Sequence, residues 1–271
     1  MPETFRFVIT EHAAWRSTER GRYRVFALPD GGQWLVRVSG SEVLSCPLVA
    51  SGGEPRFDLF ALPRPTIARS EAPELVSALA ALGTVARFRT SDLWEAVATA
   101  TIRQVVRTAQ AKRLYRDFCQ AYGQRITHLN GEGYALLPTA ETVLGLHDEQ
   151  FASIGLTLKR RPLRAAAEAS LKHEAHWRDL PPDVIVQELQ HIPRIGPWTA
   201  GAAAADYSND FTHYPYADLA VRTWAKRAAP SYPWPDSEQA FGRLWQRLAG
   251  DQLATLTLLT LAWGSQHGDT G

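Results

Sequence analysis

Cysteine and methionine are nearly missing from this chain, with two cysteines (Cys46 and Cys119) and one methionine in 271 residues. Two thiols cannot complete a four-cysteine zinc or iron–sulfur site, and they do not suggest a disulfide scaffold. A reduced, cytoplasmic protein is expected. A charge excess of either sign is missing too. Basic residues number 29 and acidic ones 28, and an apolar fraction of 45% excludes a disordered chain. A net charge of +1 gives no help for a nucleic-acid partner, so such a partner must be argued from local charge and a motif. The longest nearly apolar stretch, residues 253–263, is shorter than a membrane crossing and holds three threonines. Residues 1–20 carry Glu3, Arg6, Glu11, Arg16, Glu19 and Arg20 without an apolar segment, so no signal peptide is expected. What the chain has in quantity is tryptophan, nine residues, which either packs a core or lines a pocket for a flat ligand.

Patterning changes once along the chain. Residues 22–28 and 34–39 are short runs of branched and aromatic residues joined by Pro29-Asp30-Gly31-Gly32, a hairpin signal. Residues 43–50 and 57–62 read as further strands, and Leu62-Pro63-Arg64-Pro65 reads as a linker. Beyond it the spacing is helical. Residues 73–82 form a short helix. Residues 91–122 read as one long amphipathic helix, capped by Ser91 and stopped by Gly123. Helices are predicted over 139–144, 148–154, 161–173, 182–191, 197–207, 218–228, 237–248 and 252–263. The fold class is α+β, mainly α. A small N-terminal antiparallel β module over 1–70 precedes an all-helical body over 71–271.

The sharpest local feature runs Leu189-Gln190-His191-Ile192-Pro193-Arg194-Ile195-Gly196-Pro197-Trp198-Thr199-Ala200. A helix ends at an Ile-Pro turn, passes Gly196, and a second helix starts with Pro197 at its first position. Free N–H groups and the dipole at that start suit a phosphate oxygen, and they need no charged side chain. A packing hairpin without a ligand is the bland alternative. Further on, Pro215-Tyr216-Ala217-Asp218-Leu219-Ala220-Val221-Arg222 places Asp218 at the edge of another helix, where an N-cap is the ordinary use of aspartate.

Together these two segments resemble the helix–hairpin–helix (HhH-GPD) superfamily of DNA glycosylases, and within it 3-methyladenine DNA glycosylase II. Weaker similarity runs through Arg103-Gln104-Val105-Val106, Leu136-Leu137-Pro138-Thr139 and Gly155-Leu156-Thr157-Leu158-Lys159-Arg160. It spans roughly residues 85–265. The resemblance implies double-stranded DNA as partner, base flipping, and Asp218 as the catalytic carboxylate that stabilises an oxocarbenium-like sugar. Relatives that also nick the strand carry a Schiff-base lysine where Trp198 stands, so hydrolysis to an abasic site without lyase activity is expected. The hairpin contacts would come from Ile192, Arg194, Ile195, Gly196, Trp198 and Thr199. The wedge that fills the gap falls on Gln104 or Val105, although Val105 also fits a core position. Arg103, Arg107, Lys159, Arg160 and Arg222 would meet the DNA backbone; Lys112, Arg113, Arg116, Arg161 and Arg164 extend these basic clusters, which a solvated helix face would equally explain.

Three departures from the family stand out. Arg194 occupies a hairpin position usually held by glycine. Ala202 and Ala262 stand where the family has aromatic pocket walls, with Trp263 one position on. The base pocket is therefore expected around Trp198, Ala202, Ala262 and Trp263. Alkylated purines are the substrate the resemblance implies. A bulky hypermodified base, such as a glycosylated pyrimidine of phage DNA, is the alternative suggested by the small walls. A non-catalytic hairpin DNA-binding protein and an unrelated helical enzyme are the competing classes. No cofactor, no catalytic metal and a monomer are expected. The resemblance allows a monovalent cation at the carbonyls of Ile192 and Ile195.

Overall fold

The computed structural model describes residues 4–63, 71–127 and 131–268. Four strands, β1 (Arg16–Thr18), β2 (Gly21–Ala27), β3 (Gln33–Ser39) and β4 (Glu42–Val49), form an antiparallel meander in that spatial order. The turn at residues 29–32 forms as predicted. Gly31 takes φ +86°, and Asp30 accepts the N–H groups of Gly32 at 3.1 Å and Gly53 at 2.9 Å. One face of the sheet buries Phe26 beside Trp15 and Phe88. That same face of β2 buries Arg24, which reaches Glu95 at 3.1 Å and so fastens the sheet to the helices. The linker expected at residues 62–65 is only half visible: Leu62 is buried in the core, and Arg64 and Pro65 lie outside the described residues.

The stretch read as purely helical also contains strands. β5 (Phe57–Phe60), within the strand expected at residues 57–62, pairs antiparallel with β6 (Val85–Phe88), which lies in the helical stretch, and Val8 bridges Ala86 in parallel. A small hairpin, β7 (Arg125–Thr127) with β8 (Gly133–Ala135), lies further on. The shortness of β6, β7 and β8 is why hydropathy did not mark them. The helices are α1 (Pro73–Ala80), α2 (Leu93–Arg103), α3 (Thr108–Tyr122), α4 (Ala140–Gly145), α5 (Asp148–Ser153), α6 (Arg160–Trp177), α7 (Pro182–Gln190), α8 (Pro197–Ser208), α9 (Leu219–Ala228), α10 (Glu238–Ala249) and α11 (Leu253–His267). None of them is long and apolar enough to cross a membrane, among the described residues.

Two helices form the centre. Every residue of α2 from Leu93 to Ile102 is buried, as is every residue of α8 from Thr199 to Asp206. Alanine and glycine dominate α8, and Ala96, Ala98 and Ala100 lie in α2, so the two backbones pack closely against each other. A helix without a polar face must be interior, and this pair is.

The long helix predicted over 91–122 is two helices. Asp92, not Ser91, is the N-cap, accepting the Trp94 N–H at 2.9 Å. The helix stops at Gln104 (ψ 126°), passes Val105 at φ +55° and Arg107 at ψ 152°, and restarts at Thr108. No glycine or proline marks the break in the sequence. Tertiary hydrogen bonds hold it open, as described next.

Candidate active site

The hairpin is built as its sequence predicts. After α7 the turn closes through Ile195 N–H to Ile192 C=O at 3.0 Å, and Ile192 and Ile195 are buried, pinning the turn to the core. The first helical bond of α8 runs from Ala200 N–H to Gly196 C=O, so the N–H groups of Trp198 and Thr199 precede it without an intrahelical acceptor. A Cβ on Gly196 would meet no protein atom within 4 Å, which leaves the helix start open to an approaching group. Arg194 takes φ +70°, keeping the turn that glycine would otherwise make, at a cost of about 1 kcal/mol.

The break between α2 and α3 lies directly against this hairpin. Gln104 donates its side-chain amide to Thr199 Oγ1 at 2.8 Å and to the Arg194 carbonyl at 3.3 Å. Lys159 Nζ donates to the Gln104 carbonyl at 2.5 Å. Val105, held beyond them, is fully exposed at 102% in a backbone conformation that β-branched residues avoid. The core reading of Val105 is thereby overturned. Of the two wedge candidates, Gln104 is bound into the hairpin and Val105 is free at the tip. Sequence reasoning missed Leu158, 89% exposed beside Lys159. Its alternation with Leu156 reads as a core pattern, and only exposure distinguishes the two: Leu156 is fully buried.

Asp218 caps α9, accepting the Leu219 N–H at 2.8 Å, while its own N–H donates to the Pro215 carbonyl. The carboxylate is half-buried and caps through its immediate neighbour. The loop before it is pressed onto α8 at Gly201, where a Cβ would stand 2.2 Å from the His213 carbonyl oxygen. That close approach seats the loop that carries Tyr214 and Asp218 on α8. Burial pushes the Tyr214 phenol up, Arg103 pulls it down, and Asp218 pushes it up further, so a neutral hydroxyl lies in the field of both charges. Arg103 in turn lies 5.7 Å from the centre of the Trp198 ring. Trp198, Arg103, Tyr214 and Asp218 thus form one connected set.

Other expected residues are placed differently. Ala202 and Ala262 are fully buried and present no surface. Trp263 stacks on His267 with centroids 4.2 Å apart. Trp224, which drew no attention in the sequence, lies against Gly264, where a Cβ would come within 2.4 Å of its ring. Of the expected backbone contacts, Arg103 pairs with Asp206 at 3.2 Å, Arg160 with Asp148 at 2.9 Å and Arg222 with Glu238 at 3.7 Å. Arg107 is exposed, and no ion pair holds it among the described residues. Lys159 is half-buried, which lowers its pKa. Arg164 is also tied to Asp148, at 2.7 Å. A cavity of about 710 Å³ lies elsewhere, lined by Tyr23, Asp92, Glu95, Tyr115, Tyr134 and Glu174, and touches none of the expected site residues.

The fold is that of several solved DNA glycosylase structures. A structure of MBOgg1 in complex with a low-affinity DNA ligand matches at a TM-score of 0.68 and 14% identity, covering 97% of this chain and 92% of that one. The 8-oxoguanine glycosylase/lyase of Clostridium acetobutylicum in complex with DNA matches at 0.67 and 12%, covering 96% and 90%. The 3-methyladenine DNA glycosylase of Archaeoglobus fulgidus matches at 0.67 and 14%, covering 99% of each chain. No protein-family model matches the chain. Neither does any curated protein sequence.

Proposed function

We propose that the chain is a monofunctional DNA glycosylase of base excision, acting on double-stranded DNA as a monomer. The observation that carries this is Asp218 capping α9 from a loop that packs at His213 on Gly201 of α8, the helix whose free N–H groups open the hairpin. The hairpin grips a phosphate through Trp198 and Thr199 N–H groups, with Arg194 alongside and Arg107 on the neighbouring backbone. Val105 enters the stack as the target nucleotide leaves it, and Gln104 positions the tip. The C1′–N bond then breaks with its electron pair leaving on the base. The Asp218 carboxylate stabilises the positive charge on the sugar, and water adds its oxygen to C1′ while one of its protons passes to the departed base or, where that base leaves neutral, to solvent.

Trp198 has no amine to form a Schiff base, so the product is an intact strand with an abasic site. The sequence leaves two substrate cases, alkylated purines and a bulky modified base, and pocket electrostatics bears on that choice below. The test uses duplexes with single modified bases, assayed with and without alkali. Wild-type protein is expected to give breaks after alkali alone, and Asp218→Asn to lose at least a hundredfold in rate. Equal rates in both proteins would remove Asp218 from the mechanism. DNA binding without release of any base would make the chain a binding module.

A further inference from the structure

Arg103 ends α2 and was expected at the DNA backbone, but its surroundings give it a different place. Its Nη1 lies 3.2 Å from Asp206 Oδ2 and its guanidinium lies over Trp198, with the side chain 25% exposed. Behind it the groups are closed off. Asp206 and Arg87 are each 4% exposed and 2.5 Å apart, and Arg87 also reaches Glu11 at 2.7 Å and Asn209 at 2.5 Å. His12 Nε2 stands 4.0 Å from Asp206, and burial together with Arg24, Arg87 and Arg103 keeps its imidazole neutral. Two guanidiniums and two carboxylates cancel. The member that faces Trp198 is nevertheless a cation.

On the glycosylase reading above, we propose that Arg103 determines base specificity, favouring uncharged bases that present a carbonyl or hydroxyl oxygen over cationic N-methylated purines. One argument is electrostatic. The indole whose quadrupole would hold a cationic base already holds a guanidinium, and a second cation there meets like charge. A guanidinium is also a pure donor with five N–H groups, so those that Asp206 leaves free call for an acceptor oxygen. The Glu11–Arg87–Asp206 chain fixes the direction of Arg103, which gives the segment before β1 and strand β6 a part in choosing the base.

Single-turnover release is measured on duplexes carrying one 7-methylguanine, one hypoxanthine or one glycosylated 5-hydroxymethylcytosine. Wild-type protein is expected to release at least one of the uncharged bases tenfold or more faster than 7-methylguanine. Arg103→Gln, checked for folding by thermal melting, should narrow that ratio about tenfold, which is about 1.4 kcal/mol. Arg103→Lys should retain the order, and Glu11→Gln should shift the ratio in the direction of Arg103→Gln by a smaller factor. Preferred release of 7-methylguanine by wild type, or an unchanged ratio in a folded Arg103→Gln, overturns the proposal. If Asp218→Asn still abolishes release in that event, the glycosylase reading stands. Release of no base by wild type removes both.

Discussion

Gln104 and Thr199 share a 2.8 Å hydrogen bond that joins the end of one central helix to the first turn of the other. It ties the break after α2 to the hairpin, so the segment that would enter DNA and the segment that would hold its phosphate move as one unit. Gln104→Ala should uncouple them. Base unstacking, read by 2-aminopurine fluorescence in a bound duplex, is expected to fall severalfold while affinity for undamaged duplex changes little.

Val105 stores strain at its exposed tip, with φ +55° and no protein around it to repay the cost. Val105→Gly is expected to leave stability unchanged or raise it by up to about 1 kcal/mol in denaturant melts. The same variant should lose tenfold or more in single-turnover excision from duplex DNA. A variant that is both stable and fully active would remove Val105 as the wedge.

Arg194 presents the same trade in the hairpin. Arg194→Gly relieves a left-handed arginine and should raise stability by about 1 kcal/mol. It also deletes a charge beside the free N–H groups. The slope of log affinity against log salt should therefore shrink by about one.

Gly201 is where the loop carrying Asp218 meets α8. A methyl group there would stand 2.2 Å from the His213 carbonyl oxygen, so Gly201→Ala must push the loop away. A loss of about 1–3 kcal/mol in stability is expected, with a fall in excision rate at unchanged DNA affinity. Loss of affinity in place of rate would separate Asp218 from the displaced loop.

Asp92 gives a pH signature. Burial, with Glu95 adding to it, pushes its carboxyl up to about 7, against the cap hydrogen bond from Trp94. The native state therefore holds a proton that the unfolded chain releases near pH 4, and stability from this group falls as pH rises from about 4 to about 7. Asp92→Asn keeps a capping oxygen and should flatten that slope, gaining on the order of 1–3 kcal/mol at pH 8. Parallel urea melts of both proteins across pH 4–8 measure it. An identical slope in the two would place the titration elsewhere.

The parts legible in the sequence are those encoded over a few residues. Gly196-Pro197 announced a helix restart, and Asp218 announced a helix edge; both sit where the pattern put them. Residues 29–32 announced the turn between β2 and β3 in the same way. β5 falls within the strand expected at residues 57–62, but its partner β6 was harder, because it is four residues long and buried throughout, which hides alternation. The pairing of the basic clusters was not legible: Arg103, Arg160 and Arg222 each pair with a carboxylate distant in sequence.

The amino-acid order determined by itself the mainly helical class, the hairpin with its outward N–H groups and the aspartate at a helix start, since periodicity, caps and turns act within a few residues. Tertiary structure alone decided that the long helix breaks after Arg103, that Val105 stands clear of the core and that Arg103 lies over Trp198. Those outcomes depend on partners 90 to 103 residues away, Arg194, Thr199 and Asp206, whose hydrogen bonds outweigh the local preference for an unbroken helix.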